Sequence, residues 1–523
     1  MVVKTDYIHP ILSCAQSREW EETILGKDSE RQWEAMNRAG SALADSLNLD
    51  IPECMGKRAP EAALVLVGKG HNGGDAIIAL RHILNRFGAM RAFLVFPLGL
   101  TGVRPLVRRC LDDLQAAHSS RLSFASLRKG NARSIDSQIR ALIGGAQIDL
   151  CLDGVLGMQF RPPLRSPVRE LVEVVNGMKA IALRAAVDVP SGLGDNSDDL
   201  AFKVDFTYAT GIAKRPLFEA ANRSRTGRIR YLDLGFFDGD VPANTATGVL
   251  TGGVLKFRRV SRDSQAHKKT FGHLFVVGGS ANMPGAILMT VRAALMSGVG
   301  LVTAFVPESI AAEAAAKSPE AMWVALPQNP ADGGLALEGM KRVIPLVSRA
   351  TGWVIGPGMG TGRETEAFIK EILDLSDQPV LLDADALQPS IVSRDWGGRR
   401  CVLTPHAGEF IRLSKRSPGD LADPSEVMEF ARSHHLTVCL KGSPTRIVQG
   451  RSVIHSLYGG PVLSRGGSGD LLAGLVGGRI ALPGEDFAKA VCQGVAWHGW
   501  AADRLARAKG QVAAKATGIL DFL

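Results

Sequence analysis

Short apolar runs alternate with helical stretches along most of the chain, and the runs end in Gly, Pro or Asp clusters. The clearest runs in the first half are Ala62–Gly68, Ala92–Pro97, Ile148–Gly154 and Ala180–Pro190. Those in the second half are His273–Gly279, Gly300–Pro307, Trp353–Gly358, Pro379–Asp385, Cys401–His406 and Thr437–Gly442. Continuous apolar runs of this length are typical of strands buried in parallel sheets. Each half therefore predicts an α/β sheet, with ligands at the carboxyl ends of its strands.

The length of the chain indicates two domains. Its 523 residues exceed the size at which one hydrophobic core keeps growing. From about Phe237 to Lys269 the sequence is rich in Gly, Thr, Asp and basic residues and has no long apolar period. We place the boundary near residue 242 and predict two three-layer α/β domains, residues 1–241 and 242–523.

Composition narrows the class of protein. Hydrophobic residues make up 46% and charged residues 22%, the balance of an ordinary globular protein. The net charge of +9 is scattered, which suits phosphorylated small molecules, and we expect no nucleic-acid partner. Seven dispersed cysteines without a CxxC pair indicate a reducing compartment and no structural zinc.

Two segments bear on location. The N-terminal sequence MVVKTDYIHPILSCAQSREWEE lacks the apolar core and cleavage site of a signal peptide, so we expect a cytoplasmic protein. The apolar stretch Gly285–Val306 contains Arg292 and is broken by Gly298 and Gly300, which predicts a helix followed by a buried strand rather than a membrane span.

A Gly-rich segment, GKGHNGGDA (Gly68–Ala76), follows the first apolar run and opens a helical stretch. Glycines allow close approach to phosphate, and helix N-terminal amides favour an anion. A turn that only packs strand against helix is the alternative. Two further runs carry Asp153 and Asp188 at their carboxyl ends, where a buried carboxylate needs a cation or hydrogen-bond donors. Oxygen groups of Asn72, Asp153 and Ser191 could hold a hard cation, although either aspartate could also be a simple cap.

With AMNRAG (Ala35–Gly40), LDGVLGMQFRPPLR (Leu152–Arg165) and VDVPSGL (Val187–Leu193), these segments resemble the NAD(P)H-hydrate epimerase, or YjeF N-terminal, family over about Ser17–Phe237. His71, Ala76 and Met158–Arg161 depart from its usual pattern. The resemblance implies a Rossmann-like fold and K⁺ bound by Asn72, Asp153 and Ser191. It implies substrate contacts from His71, Asn72, Gly73, Gly74, Asp75, Gly157, Met158, Gln159, Phe160, Arg161, Pro162, Pro163 and Asp188.

The chemistry of that substrate suggests a role for one carboxylate. A 6-hydroxy group beside the ring nitrogen is a carbinolamine, so protonation and loss of the hydroxyl give an iminium that water can attack from either face. Asp188 is our candidate for moving the proton.

A second Gly-rich segment, GGSGDLLAGL (Gly466–Leu475), predicts an anion hole. Backbone amides of Ser468 and Gly469 would point at the start of a helix from Leu471, with Asp470 placed as a base for an acceptor hydroxyl. An Asp in the first turn of a helix is also ordinary capping. Three other strand-end segments, GPGMGTG (Gly356–Gly362), TPHAGEF (Thr404–Phe410) and LKGSPT (Leu440–Thr445), favour a site, and with them we assign His406 to it rather than to a core.

These blocks, with HKKTFGHLFVVGGSANMPGA, RAALMSGVGLV, PEAM and LLDADAL, resemble the ribokinase-like ADP- or ATP-dependent NAD(P)H-hydrate dehydratases over about His267–His498. GGPVLSR (Gly459–Arg465) departs from the family pattern. The resemblance implies hydrate contacts from Ala286, Gly360, His406 and Asp470. It implies adenine-nucleotide contacts from Lys441, Gly442, Ser443, Pro444, Thr445 and Gly469, and Mg²⁺ whose waters Glu409 orders.

Together the two resemblances imply a bifunctional enzyme that repairs hydrated NADH and NADPH. Asp470 would take the C6 hydroxyl proton as the terminal phosphoryl group is transferred, and phosphate would then leave. One alternative is a hydroxymethyl-pyrimidine or thiazole kinase, although such kinases resemble TPHAGEF with Asn in place of His406. The other alternative is that the N-terminal domain is only a binding or scaffold module and not an enzyme. ADP and ATP stay open as donors; we expect a homo-oligomer and no membrane partner.

Overall fold

The computed structural model describes residues 6–56, 58–239, 241–242, 246–417, 419 and 423–523. They divide into two compact units. One unit begins at His9, ends just before Ala246 and includes Arg507–Gln511. The other contains Ala246–Ala506 and Val512–Leu523 with the short segment that ends at Ile8. Two parts of segments that the sequence analysis discusses lie outside the described residues: 1–5 of the N-terminal sequence and 243–245 of the expected linker. The domain boundary between residues 241 and 242 stays a prediction.

The first unit contains a seven-stranded parallel sheet in the order β4-β3-β2-β5-β6-β7-β9, together with the short parallel pair β1 and β8. Its strands are β1 (Ile8–Leu12), β2 (Ala62–Val67), β3 (Arg91–Phe96), β4 (Leu122–Ser126), β5 (Leu150–Gly154), β6 (Leu183–Val187), β7 (Phe206–Thr210), β8 (Ala213–Lys214) and β9 (Arg228–Leu232). Its α-helices are α1 (Cys14–Leu25), α2 (Ser29–Met55), α3 (His71–Arg86), α4 (Pro105–His118), α5 (Ala132–Ile143), α6 (Val168–Gly177) and α7 (Arg223–Thr226).

Both faces of this sheet are covered. Alternate residues of β2 point to opposite sides: Val65 packs in a core with α2, α3 and α4, whereas Leu64 packs in a second core with α5 and α6. Strands such as β2 are apolar along their whole length because both faces of the sheet are buried. The unit is therefore a three-layer, Rossmann-like α/β domain, as predicted.

The second unit contains a sheet in the order β13-β12-β11-β14-β15-β16-β17-β18-β19-β10, parallel except where β18 pairs with β17 and β19. Its strands are β10 (Thr247–Leu250), β11 (His273–Val277), β12 (Leu301–Pro307), β13 (Met322–Leu326), β14 (Gly352–Ile355), β15 (Val380–Leu382), β16 (Cys401–Leu403), β17 (Thr437–Leu440), β18 (Thr445–Gln449) and β19 (Ser452–Ser456). Its α-helices are α8 (Pro284–Met296), α9 (Glu308–Lys317), α10 (Met340–Val343), α11 (Arg363–Leu375), α12 (Pro389–Val392), α13 (Ala407–Ser414), α14 (Pro424–Ser433), α15 (Ser468–Ile480) and α16 (Phe487–Lys509).

The second sheet is also covered on both faces. Phe275 and Val277 of β11 pack with α11 and α13, whereas Leu274 and Val276 pack with α8, α15 and α16. This is the ribokinase-like, three-layer arrangement that we predicted. The stretch Gly285–Val306 forms most of α8 and then β12, as expected. Among the described residues, no helix combines the length and the apolar character that a bilayer crossing requires.

All seven cysteines are free. Six of them are buried and Cys54 is exposed. Within the described part of the chain, no group of three or more His, Cys, Asp or Glu side chains is arranged to hold a metal ion.

Helices α2 and α3 approach closely at glycine positions. A Cβ on Gly40 of α2 would lie 2.5 Å from both Cβ and Cγ2 of Ile78, and a Cβ on Gly74 of α3 would lie 2.5 Å from Sδ of Met36. Gly40 belongs to the AMNRAG segment, so that segment is explained by packing against the helix of the first site.

We expect Gly40→Ala to lower the free energy of unfolding by on the order of 1 kcal/mol, because overpacking at Ile78 outweighs the gain in helix propensity. Gly177→Ala is the matched control. Gly177 is also helical, as the last residue of α6, but no atom lies within 4 Å of a Cβ added to it. That control should gain roughly 0.5 kcal/mol. Urea unfolding of both variants tests this, and a Gly40→Ala protein as stable as the parent would contradict the packing account.

Candidate functional site

The first candidate site lies where the strand order of the first sheet reverses. β2 leads to β3 and β4 on one side, and β5 leads to β6 and β7 on the other, so the loops after β2 and β5 diverge at a switch point. Gly68 is required there, because its added Cβ would lie 1.9 Å from the Val155 carbonyl oxygen. The two loops are thereby held in contact at the strand ends.

The NGGD segment lies inside helix α3. We expected the helix to follow this segment, but α3 begins at His71 after Gly70, which has an extended backbone. A Cβ on Gly73 would lie 2.3 Å from the Gly68 carbonyl oxygen, and Gly74 faces Met36. These two glycines are buried by packing. The polar members of the segment, His71, Asn72 and Asp75, therefore carry its chemistry.

The three residues predicted to bind K⁺ belong to one hydrogen-bonded cluster. The buried Asp153 carboxylate accepts bonds from Ser191 N at 2.7 Å, Ser191 Oγ at 2.7 Å and Val155 N at 3.2 Å. Burial raises the pKa of Asp153 to about 6, although these hydrogen bonds oppose the rise. Ser191 Oγ accepts from Leu156 N at 2.9 Å. The carboxylate thus fixes the loop that follows β6 against the loop that follows β5.

Asn72 adds oxygen atoms to that cluster. Its Nδ2 lies 3.2 Å from the Leu156 carbonyl oxygen and 2.9 Å from that of Val187. Both carbonyl oxygens therefore lie within hydrogen-bonding distance of one atom, next to the cluster that Asp153 and Ser191 form. Carbonyl, carboxylate and hydroxyl oxygens are the ligands that a hard cation takes, so this donor set fits K⁺.

The predicted substrate loop, Gly157–Pro163, lies beside this cluster. A Cβ on Gly157 would lie 2.7 Å from Asn72 Oδ1, and one on Gly194 would lie 3.4 Å from the Phe160 carbonyl oxygen. The loop therefore meets both the start of α3 and the loop after β6. Its exposed members are Gln159, Arg161, Pro162 and Pro163, while Met158 is half-buried.

Asp188 follows β6 and has a left-handed backbone, with φ of 65°, which non-glycine residues rarely adopt. Its Oδ1 accepts from Lys214 Nζ at 2.5 Å, Thr210 Oγ1 at 3.1 Å and Thr210 N at 3.2 Å. Lys214 is fully buried. Burial alone would lower the pKa of Lys214, but Asp188 and Glu21 outweigh it and raise that pKa. This cation was absent from our prediction.

Two further carboxyl groups surround the same lysine. Asp75 is only 6% exposed, and burial, with Asp188 and Glu21 nearby, raises its pKa well above the ordinary value. Burial raises the pKa of Glu21 to about 7. One cation therefore faces three carboxyl groups, and at neutral pH they cannot all be ionised without large repulsion.

The second candidate site also lies at a strand-order reversal, between β11 and β14. Gly279 N donates to the Pro357 carbonyl oxygen at 2.8 Å, which joins the two strand-end loops. A Cβ on Gly358 would lie 3.0 Å from Ala286 Cβ. Gly360 N donates to Asp385 Oδ2 at 2.8 Å. The predicted hydrate contacts Ala286 and Gly360 are thus brought to one edge of the sheet.

Lys441 connects this edge to the nucleotide segment. Its Nζ lies 3.1 Å from Asp383 Oδ1 and 3.7 Å from Glu409 Oε2, and a Cβ on Gly469 would lie 3.4 Å from it. Burial would lower the pKa of Lys441, but Asp383 and Glu409 raise it overall. Asp383 also accepts from Thr404 Oγ1 at 2.8 Å. Of the LKGSPT residues, Gly442 and Ser443 are exposed, and Thr445 Oγ1 donates back to Gly442 O at 3.2 Å.

Asp470 lies in the first turn of α15. The helix begins at Ser468, three residues before the Leu471 start that we predicted, because Gly467 adopts φ of 90° and turns the chain. Ser468 N donates to the Arg465 carbonyl oxygen, so the amides without a partner in the described residues are those of Gly469 and Asp470. Burial and the Asp383 carboxylate raise the pKa of Asp470 to about 6.

His406 is exposed, with 61% of its side chain accessible, and it caps helix α13. Its Nδ1 accepts from Glu409 N at 3.2 Å, and its own amide donates to Glu409 Oε2 at 2.7 Å. The other ring nitrogen, Nε2, lies 3.6 Å from Glu409 Oε1, and the exposed edge of the imidazole can still meet a ligand. Glu409 is already occupied by the cap and by Lys441, so it does not fit a directly bound Mg²⁺.

Four site residues were not assigned from the sequence. Asp383 and Asp385 end a predicted strand, and the strand-end argument applied to Asp153 would also have found them. Lys214 follows the short apolar segment Gly211–Ala213, and a lysine there is a weak signal of burial. Glu21 lies on α1, far from any motif, and carried no signal.

Comparison with known proteins matches each unit separately. A family model described as NAD(P)H-hydrate dehydratase matches residues 274–523, and one described as YjeF-related protein N-terminus matches residues 33–215. A bifunctional NAD(P)H-hydrate repair enzyme of Moorella thermoacetica is 30% identical over 504 residues, which cover 93% of this chain and 91% of that protein. The chain belongs to the family of bifunctional NAD(P)H-hydrate repair enzymes.

A second bifunctional NAD(P)H-hydrate repair enzyme, from Gloeobacter violaceus, is 31% identical and covers 90% of the chain and 89% of its own length. One similar solved structure is that of an ADP/ATP-dependent NAD(P)H-hydrate dehydratase from Bacillus subtilis, co-crystallised with ATP/Mg²⁺. It is 27% identical to this chain, and the match covers 50% of this chain and 91% of that one, with a TM-score of 0.43. The bifunctional NAD(P)H-hydrate repair family has an epimerase and a dehydratase domain, and both are present here.

We expect Lys441→Met to lower the free energy of unfolding by roughly 3 kcal/mol, because it leaves the buried Asp383 carboxylate without its cation. Asp383→Asn in the same chain should restore much of that loss. A double-mutant cycle in urea measures the coupling. If the two losses are simply additive, the ion pair does not stabilise this bifunctional NAD(P)H-hydrate repair enzyme.

Proposed function

We propose that the first site interconverts the R and S epimers of hydrated NADH and NADPH, and that the second site dehydrates the S epimer with ADP or ATP as phosphoryl donor. The proposal deepens the family assignment by giving each reaction to particular residues. The observation that carries it is Asp470, a carboxylate at an open helix N-terminus beside the half-buried Lys441.

At the second site Asp470 acts as the general base. It takes the proton of the C6 hydroxyl while that oxygen attacks the terminal phosphorus, and the bond between phosphorus and the bridging oxygen breaks. ADP leaves as AMP, or ATP as ADP. The C6–O bond of the new phosphate ester then breaks as phosphate leaves, C5 gives a proton to the departing phosphate, and the C5–C6 double bond of the dihydronicotinamide ring is restored. A base works best when its pKa lies near the operating pH, and burial places Asp470 at about 6.

The surroundings of Asp470 suit phosphoryl transfer. Negative charge that develops on the transferred group meets the amides of Gly469 and Asp470 and the positive end of the α15 dipole. Lys441 adds a cation next to Gly469. Ala286, Gly360 and His406 supply the proposed hydrate contacts, and Lys441 to Thr445 with Gly469 the proposed nucleotide contacts.

At the first site we propose that K⁺ is held by Asn72, Asp153 and Ser191. The oxygens of Leu156 and Val187 beside Asn72 support this assignment. When bound, the cation would supply positive charge that attracts the polar part of the substrate. His71 to Asp75, Gly157 to Pro163 and Asp188 form the proposed substrate surface, and Asp188 moves the proton.

Other features stay proposals of the same kind. Mg²⁺ would accompany the nucleotide, with Glu409 acting on its waters and not on the ion. A cytoplasmic location and a homo-oligomeric assembly are further proposals. The donor, ADP or ATP, and the preference between the two hydrates are left to experiment.

A mixed-epimer hydrate, incubated with and without ADP or ATP, tests the proposed function. With nucleotide, all of the hydrate should return to the absorbance of reduced nicotinamide and no phosphorylated product should accumulate. A stable phosphorylated product would indicate the small-molecule kinase instead. Repair that stops when the S epimer is exhausted would make the first unit a binding or scaffold module.

We expect Asp470→Asn to abolish S-hydrate repair while keeping the fold. Asn caps a helix about as well as Asp, so stability should change by no more than about 1 kcal/mol. Loss of the base should lower kcat on the order of 100- to 10,000-fold. In the parent, kcat/KM should fall as the pH drops below about 6, since a protonated Asp470 cannot accept the proton. Steady-state assays across pH measure both, and near-parent turnover by Asp470→Asn would contradict the assignment.

We expect Asp153→Ala to impair epimerisation and its dependence on K⁺, because it frees the Ser191 loop and removes a proposed ligand. S-hydrate repair should be unchanged in the same protein, which makes the second site an internal control. The measurement is the rate of R-to-S conversion against K⁺ concentration. An unchanged rate at limiting K⁺ would show that Asp153 only caps the strand.

A further inference from the structure

The first site contains a second carboxyl group that the proposed function does not use for chemistry. We propose that Asp75 is the general acid of the epimerase, that Asp188 is its base, and that Lys214 is the positioning residue that keeps Asp188 ionised. This inference rests on the epimerase function proposed above.

The two carboxyl groups have opposite surroundings. Asp188 Oδ1 receives three donors, one of them the ammonium group of Lys214. The Asp75 carboxyl has neither a hydrogen bond nor an ion pair within the described residues, and its Oδ1 is sealed from solvent without any partner. An unpaired carboxylate is very costly to bury, whereas a neutral carboxylic acid is much less so. Their surroundings therefore favour an ionised Asp188 and a protonated Asp75.

Each group keeps one oxygen for a ligand. The donors of Asp188 all bind Oδ1, and on Asp75 the sealed atom is also Oδ1, so Oδ2 of each is left to meet substrate. Asp75 lies on α3 and Asp188 follows β6, and these two elements are in contact. Two carboxyl groups whose surroundings drive their protonation apart are the usual mark of an acid and a base in one site.

Epimerisation at C6 needs both functions. In one direction the Asp75 proton passes to the C6 hydroxyl, the C6–O bond breaks, water leaves and the ring nitrogen lone pair forms the iminium. Water then attacks C6 from the other face and gives its proton to Asp188. One proton has moved from Asp75 to Asp188, and exchange with solvent restores the starting state. No oxidant, reductant or other reactant is consumed.

Other titratable groups face Asp75 and influence its proton. They are Glu21 from α1, Cys110 from α4, Asp188 from the end of β6 and Lys214 from β8. Burial comes first among the causes that raise the pKa of Asp75, followed by the charges of Asp188 and Glu21, and only Lys214 acts against them. The acid should thus keep its proton well above the pH at which an ordinary carboxyl loses it.

The test uses the full chain and pure R-hydrate without nucleotide, with the two epimers separated by chromatography. We expect Asp75→Asn to lower kcat for R-to-S conversion on the order of 100- to 10,000-fold, with KM changed less than threefold. Asp112→Asn, an exposed carboxyl on α4, is the matched control and should convert at the parent rate. In H₂¹⁸O each parental turnover should place one ¹⁸O on C6, and Asp75→Asn should lose this exchange together with conversion.

The pH profile separates the acid from a merely structural carboxyl. Parental kcat should fall at high pH as Asp75 loses its proton. Lys214→Met should move this fall to higher pH, because Lys214 is the charge that opposes the rise in the pKa of Asp75. If Asp75→Asn fails to fold, this parental profile still decides, because the absence of a high-pH limb overturns the proposal.

Several outcomes contradict the inference. Parental conversion by Asp75→Asn, or a loss of conversion that follows entirely from weaker hydrate binding, would remove Asp75 as the acid. Conversion without ¹⁸O incorporation would rule out C6–O cleavage. A parent that never interconverts the epimers would instead refute the proposed epimerase function, which keeps the two failures distinct.

Discussion

A lysine that pairs with a buried strand-end aspartate is the interaction on which each site depends. Lys214 is paired with Asp188 in the first unit, and Lys441 with Asp383 in the second. Carboxylates at the ends of buried strands have lost most of their water, so they require such a partner. The ion pair therefore fixes the position of the strand end. Removing the cation would disturb the strand end, the loop after it and the groups that this loop positions.

The two units use that pair for different chemistry. In the first, three carboxyl groups share one lysine, which suits a reaction that gives and takes protons without net charge transfer. In the second, the lysine lies beside an open helix N-terminus, so cationic and amide groups converge where a phosphoryl group would develop charge. The neighbours of the lysine, more than the lysine itself, separate an isomerase site from a phosphoryl-transfer site.

Strands and their carboxyl ends could be predicted from the sequence, because runs such as Ala62–Gly68 are apolar on both faces and end in punctuating residues. The helix starts at His71 and Ser468 could not, since the preceding glycines, Gly70 with an extended backbone and Gly467 with a left-handed one, take conformations that depend on their tertiary setting. Asp153 and Asp188 could be singled out because their position at a strand end marks them, and the same argument would have singled out Asp383 and Asp385. Lys214 and Glu21 were missed since their roles depend on elements distant in sequence that fold against Asp188.

The buried free thiols make local unfolding of this protein measurable by thiol labelling. Cys110 and Cys151 lie in the cores of the first unit, and Cys401, Cys439 and Cys492 in those of the second. Cys54 is exposed, although partial burial and the nearby Glu53 raise its pKa to about 12. Alkylation of the six buried thiols therefore requires the structure around them to open. Peptide-resolved labelling would follow the breathing of each unit separately, with no engineered probe.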